Sequence, residues 1–444
     1  MNEDPILRPI RFKSGLRVKN RIFRSSISGQ FDNEDGSGTQ TRINWEGRFA
    51  KGGVGAIISS YVPVMMRGRI LPFYATIHRD QNIPFWATVG EQAHKYDCRF
   101  IMQLSHSGRQ QDRPGVSNRW RKALSSTSRT ESLHGFPCQA MTRWQIDDVI
   151  DAFGQGARRA REAGLDGVEL HAANGYLFTQ FLSSGINDRT DEYGGSLYNR
   201  ARFLLDVIAK IRDVVGPSFH LQVKLSAIDQ NNVIPWEPRG DGLAETVQVA
   251  KWVETAGAHA IHVSTGSLFP HPLNPPGGFS FNSIAATYDA MISSGTRTMR
   301  NYLLFRYRLL RPIFAWIWER KKRLNPPEGV GIDEARAIKQ AVSVPVISTG
   351  GYQDARLIRM GLEEGSFDAV AIARPLIANP DLVRWIEKGF DLPPRPCTYC
   401  NKCLLNAPKN PLGCYELPRF DGNVEAMLAD ILSVYDTAPG YRVS

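Results

Sequence analysis

Long apolar runs are missing from this sequence. The hydrophobic stretch Ile313 to Trp318 falls far short of the roughly 20 residues that a helix needs to cross a bilayer. The first residues, Met-Asn-Glu-Asp-Pro, put acids where a secretory signal would carry a basic patch and an apolar core, so a soluble, cytoplasmic protein is expected. Cysteine is scarce: six in 444 residues exclude a disulfide framework. Charge excess is confined as well. The formal net charge is +10, but positions 297–323 hold nine Lys/Arg against the single acid Glu319, which is +8, and the remainder is close to neutral. A basic footprint for nucleic acid spread over the surface is thereby excluded. What is present, 42% hydrophobic and 22% charged residues, describes a globular chain with a real core. Its length fits one large barrel with extensions or two ordinary domains.

One local pattern recurs. A helix-like stretch ends in Gly and a β-branched apolar run follows, at Lys51-Gly-Gly-Val-Gly-Ala-Ile-Ile, Glu162-Ala-Gly-Leu-Asp-Gly-Val-Glu-Leu, Thr255-Ala-Gly-Ala-His-Ala-Ile-His-Val and Glu364-Gly-Ser-Phe-Asp-Ala-Val-Ala-Ile. Glycine stops a helix by adopting the left-handed conformation, and the run behind it reads as a buried strand. About eight such strands can be counted: Ile22–Ser28, Gly55–Val62, Arg99–His106, Gly167–Asn174, His220–Ala227, Ala260–Gly266, Val344–Gly350 and Ala369–Pro375. A helix from about Leu197 to Val215 carries one apolar stripe (Phe203, Leu204, Val207, Ile208, Ile211, Val214, Val215). Alternating strands and helices mean parallel pairing. No Gly-x-Gly-x-x-Gly of the dinucleotide-binding kind follows Ile22–Ser28, which disfavours a doubly wound sheet. The expectation is an α/β fold, a single (β/α)8 TIM barrel over residues 1–390. It has a short hairpin at Leu7–Asn20 plugging the bottom, an insertion after strand six at about 269–327, and a cysteine-containing extension at 391–444.

Barrel enzymes keep their chemistry at the C-terminal ends of the strands. Strand seven ends in Ser348-Thr-Gly350-Gly351 and strand eight in Ala373-Arg374-Pro375. Glycines let backbone N–H groups approach an anion and Arg374 adds a forked cation, the place where barrels take a phosphate; the bland alternative is a turn and a surface charge. Strand four ends in His171-Ala-Ala-Asn174-Gly-Tyr176. A His and an Asn aimed at one point offer two donors to a carbonyl oxygen that becomes an enolate, and a nearby Tyr, protonated at neutral pH, is a proton donor. Core packing with a satisfied polar tip is the alternative for any one of the three. Lys224, at the end of strand five, reads as a Schiff-base nucleophile or as a cation beside an electron-rich ring.

The run His171-Ala-Ala-Asn-Gly-Tyr-Leu-Phe-Thr-Gln-Phe-Leu-Ser-Ser, followed by Asn187-Asp-Arg-Thr-Asp-Glu-Tyr-Gly-Gly-Ser-Leu-Tyr-Asn-Arg-Ala-Arg-Phe203, resembles the old yellow enzyme family of NAD(P)H-dependent FMN ene-reductases. Asn20-Arg-Ile-Phe-Arg-Ser-Ser, Met102-Gln-Leu-Ser-His-Ser-Gly-Arg and Gln222-Val-Lys-Leu-Ser fall in the same order, and the resemblance covers roughly residues 5 to 385. It implies FMN as cofactor, NADH or NADPH as electron donor and an enone-type small molecule as substrate. Gln103 would then bind the flavin pyrimidine edge and Lys224 would sit at N1/O2. The backbone near Ser25, Ser26 and Ser60 would line the isoalloxazine, while Gly350, Gly351, Ala373 and Arg374 would hold the phosphate. His171 and Asn174 would grip the substrate carbonyl and Tyr176 would protonate the α-carbon.

Two features depart from the simpler members. Cys397-Thr-Tyr-Cys400-Asn-Lys-Cys403 with Cys414 is similar to the iron–sulfur motif of larger relatives, the dienoyl-CoA reductases and trimethylamine dehydrogenase. Those continue into nucleotide-binding domains, whereas about thirty residues follow Cys414 here. A [4Fe-4S] cluster would therefore need an external redox partner; an empty motif and a zinc site are the alternatives. Oxidative demethylation or dienoyl reduction with electrons passing through that cluster competes with ene reduction. The basic, aromatic insert from Tyr302 to Trp318 reads either as a peripheral contact with an anionic membrane or as a helix packed over the barrel or another subunit, broken near Pro312; packing is preferred.

Overall fold

A computed structural model of the chain describes residues 4–111, 122–130, 133–231, 238–267, 274–278, 280–290, 292, 294–307, 309, 311–324 and 326–435. The start of the expected insertion (269–273), Arg308 and residues 436–444 lie outside the described residues.

The eight expected runs all form parallel strands: β1 (Ile22–Arg24), β2 (Ala56–Ile58), β3 (Arg99–Ser105), β4 (Gly167–Ala172), β5 (His220–Ser226), β6 (Ala260–Ser264), β7 (Val346–Ser348) and β8 (Ala369–Ile372). Each pairs with the next, and β8 returns to β1 with Val370 opposite Ile22, so the sheet closes into a barrel. The second run does not stay intact over Gly55–Val62. It breaks after Ile58 and resumes as Val62–Pro63, both pieces pairing with β3. Across the break the Gln103 N–H donates to Ser59 Oγ (2.8 Å), so a side chain replaces a ladder carbonyl. Several strands end earlier than hydropathy suggested, because the residues beyond the last ladder bond, such as Ser25 and Ser26, leave the sheet for the barrel mouth.

Helices α1 (Gln40–Lys51), α2 (Ile83–His94), α3 (Arg143–Glu162), α4 (Leu197–Val215), α5 (Leu243–Thr255), α6 (Ile332–Ala341) and α7 (Ala355–Glu363) ring the sheet. α3 begins with a reciprocal cap between Thr142 and Gln145, and α4 matches the expected stripe with Phe203, Leu204, Val207, Ile208 and Ile211 buried. The hairpin pairs Ile10 with Val18 across Gly15. It presses Ile10, Phe12 and Val18 onto Phe23, Ile101, Ala260 and Ile347, sealing the N-terminal end of the barrel.

The inserted segment holds helices Phe281–Ala290, Thr298–Arg306 and Arg311–Leu324. The break falls at Tyr307, just ahead of Pro312, which occupies the first turn of the following helix where its missing N–H does no harm. The extension carries short helices Lys402–Asn406 and Val424–Leu432. It folds back on α1 through Asn44 Nδ2 to Val434 O (3.0 Å) and Arg48 to Asp430 (3.3 Å).

Candidate active site

Side chains on a strand alternate, so inward-facing residues recur every second position. The inward series runs Ile101 to Gln103, Gly167 to Glu169 to His171, His220 to Gln222 to Lys224, and Ala260 to His262. The barrel interior therefore turns from apolar at the hairpin end to polar one layer higher. In that layer Glu169 accepts from Gln103 Nε2 (2.7 Å), Gln222 Nε2 (2.5 Å) and His262 Nδ1 (2.8 Å), while His262 Nε2 meets Thr349 Oγ1 (2.6 Å). Burial alone would raise the Glu169 carboxyl, but His262, Lys224 and Gln103 outweigh it and hold the pKa down to about 2. The layer is thus a fixed anion with its donors locked around it.

Lys224 stands one register step above, opposite both His171 and His262. Burial lowers its pKa and Glu169 opposes that shift. His171 is pushed well below its ordinary value by burial and by Lys224, so it is a neutral imidazole. Its Nδ1 is buried without a hydrogen-bond partner, as is Gln103 Oε1 beneath it. Two such orphans at the same end of a barrel await a bound molecule with polar groups.

Asn174 takes φ +57°, a left-handed conformation that Asn tolerates, and Gly175 follows at φ +79°. A Cβ on Gly175 would lie 1.9 Å from Ser267 O, so the turn admits glycine alone. This reversal brings the Tyr176 ring edge-on to His171 with centroids 4.7 Å apart, and Tyr61 closes the group at 5.2 Å from Tyr176. Asn174 Nδ2 donates to Thr265 O (3.3 Å), which uses one of its two amide hydrogens. Burial, with Tyr74 nearby, raises the Tyr176 pKa above its ordinary value, so the hydroxyl keeps its proton.

A mostly apolar cavity of about 390 Å³ opens at this mouth, and Ser25, Ser26, His171, Asn174, Tyr176, Lys224, Gly350, Gly351, Ala373 and Arg374 all line it. Of the residues expected to hold a cofactor, Ser60 and Gln103 do not line it. Ser60 turns its hydroxyl to Glu46 Oε1 (3.0 Å) and to Arg42, and Gln103 lies in the layer below. At the far end Arg374 donates from Nη1 to Pro276 O (2.7 Å) and Asn401 Oδ1 (2.6 Å), and its guanidinium covers the Tyr399 ring. Tyr399 in turn donates to Gly351 O (2.9 Å). Cys397, Cys400, Cys403 and Cys414, all free thiols, line one small cavity together with Arg374 and Arg419. Among the described residues, no group of three or more His, Cys, Asp or Glu is disposed to hold a metal ion.

Sequence reasoning missed Glu169, Gln222 and His262, although their signal was present: polar residues at period two within otherwise apolar strands. It also missed Tyr61, Tyr74, His134, Phe136 and Tyr288, which reach the cavity from loops and from the insertion, where no periodicity marks them.

Residues 5–285 and 315–392 match the family described as NADH:flavin oxidoreductase / NADH oxidase. An NADH oxidase from Thermoanaerobacter brockii is 30% identical over 387 residues, 87% of this chain and 51% of that protein. A multifunctional alkene reductase/demethylase OYE from Caballeronia cordobensis is 26% identical over 405 residues, 90% of this chain and 52% of that protein. The chain thus spans about half the length of these relatives. Among solved structures, a 2-naphthoyl-CoA reductase bound to 2-naphthoyl-CoA superposes with a TM-score of 0.74 at 22% identity, over 93% of this chain and 56% of that one. An old yellow enzyme homologue from Zymomonas mobilis gives 0.65 at 22% identity, over 87% and 94%. Both share the barrel fold.

Proposed function

The chain belongs to the NADH:flavin oxidoreductase / NADH oxidase family, and from that premise we propose that it is an FMN-dependent oxidoreductase that uses NADH or NADPH to reduce an activated carbon–carbon double bond, such as that of an α,β-unsaturated carbonyl. The observation that carries this reading is the convergence of His171, Asn174, Tyr176 and Lys224 on one cavity, above buried and unpartnered polar atoms of Gln103 and His171.

The residues present fit a flavin. Gln103 Oε1 is an acceptor in want of a donor in the layer below, Lys224 supplies a buried positive charge to the cavity, and Ser25 and Ser26 line the same space. Gly350, Gly351, Ala373 and Arg374 would take the phosphate. When bound, the flavin supplies the hydride that the β-carbon of the substrate receives. The neutral His171 and the second amide hydrogen of Asn174 hold the carbonyl oxygen and stabilise the negative charge that develops there. Tyr176, its proton retained by burial, gives that proton to the α-carbon. Hydride at one carbon and proton at the other complete the reduction. The apolar lining contributed by Ile70, Leu71, Phe136 and Ile284 excludes water from the reacting carbons and favours an apolar substrate body.

A second reading rests on the four cysteines lining one cavity, although, among the described residues, their thiols are not disposed around a metal position. Cys397, Cys400, Cys403 and Cys414 would hold an iron–sulfur cluster, which would supply one-electron relay: out of the site for an oxidative demethylation, into it for a dienoyl reduction. The purified protein decides between these and a Schiff-base barrel. A yellow protein that releases FMN on denaturation, is bleached by NADH or NADPH anaerobically and is reoxidised by a simple enone carries the first reading. A colourless protein that borohydride traps on a carbonyl ligand through Lys224 would replace it.

A further inference from the structure

The inserted helices are apolar on two sides. In Arg311–Leu324 the inner face packs: Phe314 lies against Phe305 (centroids 5.6 Å apart) and Trp318 Nε1 donates to Gly277 O (2.9 Å). The opposite face carries Ile313 (58% exposed), Trp316 (63%) and Ile317, then Arg320, at the i, i+3, i+4, i+7 spacing of a single stripe. Helix Thr298–Arg306 repeats the arrangement. Asn301 is buried and donates to Leu133 O (2.6 Å), while Met299 and Leu303 face out in line with Tyr307 just beyond the helix end. Leu309, in the connection between the two helices, is 88% exposed. A water-facing helix puts its charges outward; here aliphatic and aromatic side chains face outward with arginines beside them.

Those arginines are not neutralised. Arg300, Arg306, Arg311, Arg320 and Arg323 have no carboxylate partner among the described residues; Arg306 and Arg320 rest over the rings of Tyr302 and Trp316. The segment 297–323 carries nine Lys/Arg and one acid. We infer that this face of the insertion docks on an anionic lipid surface, the outward Leu309, Ile313, Trp316 and Ile317 entering the headgroup–acyl boundary and the arginines meeting lipid phosphates. Charge complementarity selects this occupant. A second copy of the chain would bring one strongly basic segment against another. A nucleic acid would use the arginines but leave the aliphatic stripe in water. The family match breaks off between 285 and 315, so Met299, Leu303, Leu309 and Ile313 lie outside it, while Trp316, Ile317 and Arg320 lie within it.

The test is co-sedimentation of the flavin-loaded protein with vesicles of phosphatidylcholine alone or mixed with phosphatidylglycerol. Binding is expected on the mixed vesicles only, with release as salt rises from about 0.05 to 0.5 M and the Debye length shrinks to a few Å. Arg306→Gln/Arg320→Gln/Arg323→Gln is expected to lower the partition coefficient by about 100-fold, on the basis of about five-fold per charge. Ile313→Ser/Trp316→Ser/Ile317→Ser, with an unchanged circular dichroism spectrum, is expected to abolish sedimentation at low salt. Equal partition onto both vesicle types would overturn the inference, as would no sedimentation with either. So would lipid-independent dimerisation or RNA binding lost in the same variants. If the serine variant did not fold, the glutamine variant alone would decide: sedimentation equal to the parent's would refute the proposal.

Discussion

His171 and Tyr176 touch each other, but the proposed mechanism gives them different work, and substitution separates the two. Reduction of the flavin by nicotinamide needs no proton from Tyr176, whereas completing the reduced product does. Tyr176→Phe is therefore expected to leave the reductive half-reaction nearly unchanged and to slow enone reduction by about 10²-fold or more, read by stopped-flow absorbance. His171→Ala removes a donor to the carbonyl oxygen and should weaken binding of carbonyl ligands in a titration of the flavin spectrum. A Tyr176→Phe enzyme slowed only in flavin reduction would remove the proton-donor assignment. A second titrating residue lies just beyond β5. Burial raises the Asp229 carboxyl from 3.8 to about 7, with Asp241 adding repulsion, although Ser183 and Ser267 donate to it. A raised carboxyl favours the protonated native state, so its contribution is full below pH 3.8 and is lost as pH climbs through 7. Asp229→Asn should flatten the fall in unfolding free energy between about pH 4 and 7, by an amount on the order of a few kcal/mol; parallel stability-against-pH profiles for the two proteins would show that Asp229 is not the titrating group. At this scale the meeting of His171, Asn174, Tyr176, Gly350 and Gly351 at one cavity was legible because they stand at strand ends in a recognisable run. Glu169, Gln222 and His262 were hidden because a polar residue inside an apolar strand looks like an interruption until the inward register is known.

Elements were legible wherever one period dominated. Helix α4 emerged at Leu197–Val215 because its stripe repeats over its whole length, and the strands behind Gly164 and Gly257 emerged because those glycines, at φ +71° and +104°, end the helices before them. The split in β2 was not legible, since Ser59 takes over a ladder contact that no hydropathy pattern records. Below that split lies a buried ionic group joining β1 to α1. Arg24 pairs with Glu46, Arg42 with Asp32 (2.5 Å) and with Glu46 (3.6 Å), and all four side chains are at most 1% exposed. Two cations and two anions balance, and Glu46 also receives the Ser60 hydroxyl. Removing one member strands an opposite charge in the core, which costs about 3–5 kcal/mol. Glu46→Ala should lose that much in urea unfolding, while the exposed-pair variant Asp147→Ala, beside Arg143 on α3, should lose under about 1 kcal/mol. Equal losses for the two would deny the buried group its part in fixing α1 on the barrel.

At the scale of the whole molecule, barrel, insertion and cysteine segment meet at Arg374. Its Nη1 joins Pro276 of the insertion to Asn401 of the extension, and Tyr399 beneath it donates to Gly351. No sequence pattern announces this junction, because Pro276 stands 98 positions and Asn401 27 positions from Arg374, and their only shared property is where the chain returns them. It has a consequence for the tail. The end of the cavity proposed for the phosphate and the loop bearing Cys397, Cys400 and Cys403 are braced by the same side chain, so a change in one is transmitted to the other. If the four cysteines hold a cluster, protein purified without oxygen should contain iron and acid-labile sulfide in equal amounts, about four of each per chain. Cys403→Ser should lose both and, through Asn401 and Arg374, also retain less FMN than the parent. Arg374→Ala should be flavin-poor whether or not the cluster is present, which separates the direct contact from the transmitted one. One equivalent of zinc, or no metal after anaerobic reconstitution with iron and sulfide, would end the cluster reading. Full FMN content in an iron-free Cys403→Ser protein would show instead that Arg374 holds the phosphate end without help from the tail.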